Sequence, residues 1–150
     1  MKTVDLPRAD AIALDADDNP VVFVEVKAQR PINDLDIQDV VTSLARSRTS
    51  IPYVMLVDRQ TIQVLQWNGA ELSELVSHLS TNDILSFYDP ELPNKEVFDF
   101  YLTALVEAWL RDVAYHWKSD DPPAIGQLKA IGLAQRLHNG TTVTESSYAA

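Results

Sequence analysis

The chain has 150 residues, enough for one domain around one hydrophobic core. Apolar residues make up 46% and charged residues 23%, an ordinary globular balance, and the absence of cysteine excludes a disulfide framework or thiolate metal site and suits a cytoplasmic protein. The net charge of −10 argues against loose electrostatic binding of nucleic acid, and no stretch approaches the roughly 18–20 apolar residues of a membrane span.

The spacing of apolar and turn-forming residues predicts strands over 9–15 (ADAIALD) and 20–28 (PVVFVEVKA), joined by the turn residues ADDN. Leu35, Ile37, Val40, Val41 and Leu44 recur at helical spacing, so 34–48 is read as a helix with Asn33 as its N-cap. YVMLV at 53–57 is apolar throughout, as a buried central strand would be, and 62–67 reads as its neighbour. A short helix is expected over 71–79. One long helix is expected over 95–118, with Phe98, Leu102, Leu105, Trp109, Leu110, Val113 and Trp117 on its apolar stripe. A last helix over 124–138 would end at Asn139-Gly140, and 141–150 reads as a flexible tail. The order gives an α/β domain with a mixed sheet over 1–140, its core at 8–67 and a helical part at 71–140.

A loop at Ala16–Asn19 would set Asp15 opposite Pro20, so that paired positions sum to 35 and Asp10 falls opposite Glu25. Side chains alternate along a strand, so Asp10, Glu25 and Lys27 then share one face. Ala11 and Ala13 would lie with Val22, Val24 and Val26 on the other face, and Ile12 and Leu14 with Val21 and Phe23 on theirs. Two carboxylates in apolar surroundings need compensation, by a shared proton, a cationic side chain or a metal ion. Mg²⁺ is held by one or two carboxylates with waters and substrate phosphates, so a paired-carboxylate metal site beside a lysine is one outcome. A surface Glu-x-Lys ion pair of small energetic worth is the other.

The run R-A-D at 8–10, a short hairpin, then V-E-V-K at 24–27, a helix and an apolar strand resembles the PD-(D/E)xK nuclease superfamily, the restriction-endonuclease-like fold. The resemblance covers residues 8–67. It implies a mixed β-sheet flanked by helices, with the C-terminal helices as additions, and a Mg²⁺-dependent nuclease that hydrolyses phosphodiester bonds of DNA, with Mn²⁺ as a substitute ion. Asp10 and Glu25 would ligate the metal together with the Val26 carbonyl, and Lys27 would orient the attacking water and stabilise charge on the phosphate. Gln38 on the following helix is the candidate for a further catalytic glutamine, with a solvated helix residue as the alternative.

The sequence departs from that pattern. Ala9 stands where proline is common. The fold places a helix, which often adds an acidic residue, and a strand before the Asp, yet only nine residues precede Asp10; either the chain starts late or a later element fills that place, and the 95–118 helix could do so, with Glu96 or Glu107 supplying a carboxylate. The acidity also fits a catalytically degenerate relative that serves as a regulatory or interaction subunit of a DNA-processing system.

The charge is unevenly spread. Residues 1–60 carry seven basic and ten acidic side chains, and 61–150 carry five and twelve, so a phosphate-bearing partner would approach the N-terminal part. Arg30, Arg46, Arg48 and Arg59 form the basic group that could face phosphate, and solvated surface is the simpler reading for each alone. The aromatic 95–118 helix offers a surface for a homodimer or a partner subunit. His78, His116 and His138 lack ligand spacing for zinc. Asp15, Asp17 and Asn19 start a calcium-loop pattern that fails at Pro20 and Val26, which leaves a turn.

Overall fold

A computed structural model describes residues 6–145. Its sheet has six strands: β1 (Ala11–Leu14), β2 (Pro20–Lys27), β3 (Tyr53–Asp58), β4 (Thr61–Gln66), β5 (Ser77–Ser80) and β6 (Thr141–Thr144). They lie in the order β5-β4-β3-β2-β1-β6, and β2 with β3 is the one parallel pair. The helices are α1 (Asp34–Arg46), α2 (Thr81–Leu85), α3 (Asp99–Tyr115), α4 (Ile125–Ala130) and α5 (Leu133–Leu137). The protein is thus α/β with a mixed sheet, as its sequence order predicts.

Helices cover both faces. Val24, Val26 and Met55 pack with Leu102, Val106 and Trp109 of α3 on one side; Ile12, Phe23 and Val54 pack with Val40 and Leu44 of α1 on the other. The α1 crossover joins the parallel strands β2 and β3, as such pairs require. Its start is fixed by a capping box: the Asn33 side chain accepts from the Asp36 N–H at 3.0 Å and the Asp36 carboxylate from the Asn33 N–H at 2.9 Å.

The first hairpin keeps the expected register from Ala11 to Ala13. Ala11 faces Val24, Ile12 faces Phe23 and Ala13 faces Val22. At the turn it departs: Leu14, not Asp15, faces Pro20. The extra residue, Val21, is turned into the α3-side core instead of joining Phe23. Asp15 caps the turn, its Oδ1 accepting from the Asp17 and Asn19 N–H groups at 2.9 Å each.

Four other expectations need correction. Residues 71–79 form no helix. Val76 N–H donates to Val64 O, and β5 pairs with β4 so that Leu79 lies opposite Ile62 in the core; joining the sheet edge outweighs the helical spacing of Leu72, Val76 and Leu79. The 95–118 helix spans 99–115, and its stripe is buried except at the ends, where Phe98 and Trp117 are exposed. The 124–138 helix is broken at Gly132, whose φ of 81° is left-handed and whose bare Cα lies against the Tyr53 hydroxyl. Finally, Thr141–Thr144 are not a loose tail but strand β6, paired along all of β1; the remainder of that tail from 146 on lies outside the described residues. Gly140 makes this approach possible, since a Cβ there would collide with the Leu14 carbonyl.

Candidate active site

The site grows from a mismatch in strand length. β2 continues to Lys27, but β1 begins only at Ala11, so the β1-side edge of β2 is left without a strand beyond Glu25. Two carboxylates occupy that edge. Asp10 Oδ2 accepts from the Val26 N–H at 2.7 Å, and Asp99 Oδ1 accepts from the Ala28 N–H at 2.6 Å. In an extended strand a residue's C=O points to the same edge as its own N–H, so the Val26 carbonyl lies between the two.

Asp10 lies close enough to Glu25 and Lys27 for their charges to act on one another. The paired positions end at Ala11–Val24, the Asp10 N–H donates to Val24 O at 3.1 Å, and Lys27 Nζ stands 3.5 Å from Glu25 Oε2. The Glu25 and Lys27 side chains are 17% and 28% exposed, so this is no solvated surface pair. The Glu25 carboxyl is pushed up to about 7, by burial first and the nearby Asp10 second, and Lys27 only partly offsets the two. Burial also raises Asp10, with Asp99 and Glu145 adding to the rise, against the Val26 N–H and Lys27. Asp10 Oδ1 and Glu25 Oε1 have no protein partner among the described residues, and no side-chain N or O atom there is both buried and unbonded, so these oxygens reach solvent.

The surroundings sort the other candidates. Asp36 pairs with Arg30 through two bonds of 2.6 and 2.8 Å, and this guanidinium holds the Asp36 carboxyl down at about 2. Asp58, at the end of β3, accepts from the Ile32, Gln60 and Thr61 N–H groups and so is committed to the backbone. Gln38 projects from the exposed side of α1, and no hydrogen bond joins it to Asp10, Glu25 or Lys27.

The acidic residue of α3 that reaches this strand edge is Asp99; Glu96 and Glu107 do not. Glu107 is buried and accepts from the Thr142 hydroxyl at 2.9 Å, tying α3 to β6, while Glu96 stands in solvent. Sequence reasoning also missed the latch beside Asp99, where Gln29 Nε2 donates to Val97 O at 2.6 Å and fixes the start of α3 against the end of β2. The one local sign of Asp99 was an acidic residue opening an apolar helix, a pattern that the helix dipole explains without any site.

Asp10, Glu25 and the Val26 carbonyl are hard oxygen donors, and the pair of carboxylates is under-compensated by Lys27; both features suit a divalent cation of the Mg²⁺ or Mn²⁺ type. Among the described residues no three carboxylate or imidazole side chains converge as a ready-made metal cage, so water and substrate oxygens would have to complete the shell. The fold and site together define an α/β protein with paired carboxylates and a lysine at the carboxyl end of two parallel strands, where open α/β sheets commonly place ligands. Compared with protein-family models, curated proteins and solved structures, the chain matches none of them. No helix among the described residues is long and apolar enough to cross a membrane.

Proposed function

We propose that the chain is a restriction-endonuclease-like, Mg²⁺-dependent nuclease acting on DNA. The observation that carries this reading is the closeness of Asp10, Glu25 and Lys27 at an edge where β2 outruns β1. Asp10 Oδ1, Glu25 Oε1 and the Val26 carbonyl would hold the ion, which when bound polarises a phosphodiester and makes hydroxide accessible near neutral pH. Lys27 would orient the attacking water and offset charge on the phosphate. Val26 N–H fixes the Asp10 carboxylate at the edge, and Asp99 fixes the outgoing backbone at Ala28. On this reading, β6, which pairs with the far side of β1, and α3, which carries Asp99, would stand in for the elements that the resemblance places ahead of Asp10.

Calorimetric titration with Mn²⁺ tests this reading without a choice of substrate. Binding by the wild type, lost in Asp10→Asn and Glu25→Gln, is the expected result, followed by metal-dependent cleavage of labelled DNA that Lys27→Ala abolishes. If neither Mn²⁺ alone nor Mn²⁺ with a DNA duplex is bound, the proposal fails. A second reading, a non-catalytic interaction subunit on the same fold, draws on two observations: the net charge of −10, and Phe98 and Phe100 standing 65% and 84% exposed on either side of Asp99. Metal binding without cleavage, together with a dimeric mass in light scattering, would favour that one.

A further inference from the structure

The four arginines that the sequence offers to a phosphate are divided by the fold. Arg30 is spent on Asp36, and Arg59 on the carbonyls of Leu92 and Lys95 and the side chain of Asn82. Arg46 and Arg48 are treated differently. They line an open cavity of about 450 Å³ together with Arg8, and neither has a carboxylate partner among the described residues. The same cavity takes in Ser43 and Ser47, and its remaining wall is the apolar Leu6 and Pro7.

Three guanidiniums around one cavity is an unusual use of charge in a chain with twelve basic and twenty-two acidic side chains. Random solvation of the surface would place acids nearby, as it does for Lys27, Arg30 and Lys95. Arg46 alone is explained by its place in the last turn of α1, where a cation offsets the helix dipole. That dipole accounts for neither Arg48, two residues beyond the helix, nor Arg8, which arrives from the segment ahead of β1. The partial negative charge of the helix end is about half a unit, and the two charges of Arg46 and Arg48 exceed it even with Arg8 offset by Glu145. Arg8 is held in place by an ion pair with Glu145 and keeps most of its side chain in solvent, so its guanidinium remains able to take a second anion.

We propose that the Arg8–Arg46–Arg48 cavity is a phosphate-binding site, taking a phosphate ester or the phosphate of a nucleic-acid strand. Planar guanidiniums bind phosphate oxygens in pairs, and the Ser43 hydroxyl adds a neutral donor. Ser47 serves mainly to shape the wall, since its hydroxyl donates to Thr49 O at 2.9 Å. Nothing in this assignment depends on Asp10 and Glu25, although the segment forming one wall runs directly into Asp10.

The test is a titration of the full chain in EDTA, which silences the carboxylate site, with pyrophosphate and with a twelve-nucleotide oligonucleotide carrying or lacking a 5′-phosphate. Binding is expected in the wild type and in Asp10→Asn/Glu25→Gln. It should weaken at least tenfold in Arg46→Gln/Arg48→Gln and in Arg8→Gln, but not in Lys129→Gln, which removes the same charge elsewhere. Pyrophosphate binding would identify a small phosphate ligand; binding of the oligonucleotide alone would identify a strand, and dependence on its 5′-phosphate a strand end. The proposal is overturned if no probe binds, if the arginine variants bind as the wild type does, or if Lys129→Gln weakens binding equally. A carboxylate-site variant that retains phosphate binding while losing Mn²⁺ would separate this cavity from the proposed active site.

Discussion

Asp112 and Glu25 are both carboxylates held inside this molecule, and they are treated in opposite ways. Asp112, fully buried on α3, accepts from the Tyr88 hydroxyl at 2.7 Å and from the Lys118 and Ser119 N–H groups at 2.9 and 3.0 Å. Those three donors close the chain behind the helix, where His116 turns left-handed. Glu25 has one polar partner, Lys27, at 3.5 Å, and a second acid close by. A carboxylate saturated by donors is a structural device, whereas one with unsatisfied oxygens facing solvent is available for chemistry. The difference lies in the donors supplied, not in depth, since Asp112 is the more buried of the two.

The largest expected effect falls on the saturated acid. Asp112→Ala leaves two backbone N–H groups and a tyrosine hydroxyl without their acceptor and should cost about 3–5 kcal/mol in urea unfolding. A loss below about 1 kcal/mol would break the contrast.

Glu25→Gln should do the reverse above neutral pH. Because the folded protein raises this carboxyl from 4.5 to about 7, the wild type binds the proton more tightly when folded. Its contribution to stability is therefore complete below pH 4.5 and is lost as pH rises to about 7. The shift corresponds to at most about 3 kcal/mol, and partial exposure reduces that to about 2. Glu25→Gln should match the wild type at pH 4 and exceed it by about 2 kcal/mol at pH 8. Mn²⁺ should restore stability to the wild type alone, and mainly above pH 7, because the ion competes with the proton. Parallel pH profiles for the two proteins would remove Glu25 from the under-compensated class.

Asp99→Ala sharpens the comparison at the strand edge. Loss of the bond to Ala28 should cost about 1 kcal/mol and, by removing a neighbouring anion, lower the pKa of Asp10, which carbon-detected NMR titration of the Asp10 carboxyl would follow. The smallest effect is assigned to Gln38→Ala. From its exposed position it should change stability by less than about 0.5 kcal/mol, and a large loss of DNA cleavage there would show that substrate recruits it.

Part of this contrast was legible in the sequence. The nearness of Asp10 to Glu25 and Lys27 is legible because a short turn and alternating apolar residues fix most of a hairpin's register locally, with Ala11, Ile12 and Ala13 opposite Val24, Phe23 and Val22. The start of α1 was equally local, with cap and first turn contiguous. Asp99 was not legible, because 71 positions separate it from the Ala28 N–H it occupies. Nor was the grouping of Arg8 with Arg46 and Arg48, which are far apart in sequence and meet only in one cavity wall. For β6 a signal existed in the β-branched run Thr141, Thr142, Val143 and Thr144, but a strand four residues long needs a free sheet edge to pair with.

The amino-acid sequence by itself determined the alternating strands, the capped helix and the placing of Glu25 and Lys27 on one face, since each depends on backbone periods and neighbours a few residues apart. Tertiary structure decided which charges are compensated. Only the packing of α3 against the end of β2 brings Asp99 to the strand edge, only the pairing of β6 with β1 brings Glu145 to Arg8, and only burial together with the nearby Asp10 makes Glu25 hold its proton to near neutrality. Desolvation and Coulomb interaction depend on distance through space, and distance along the chain does not set that.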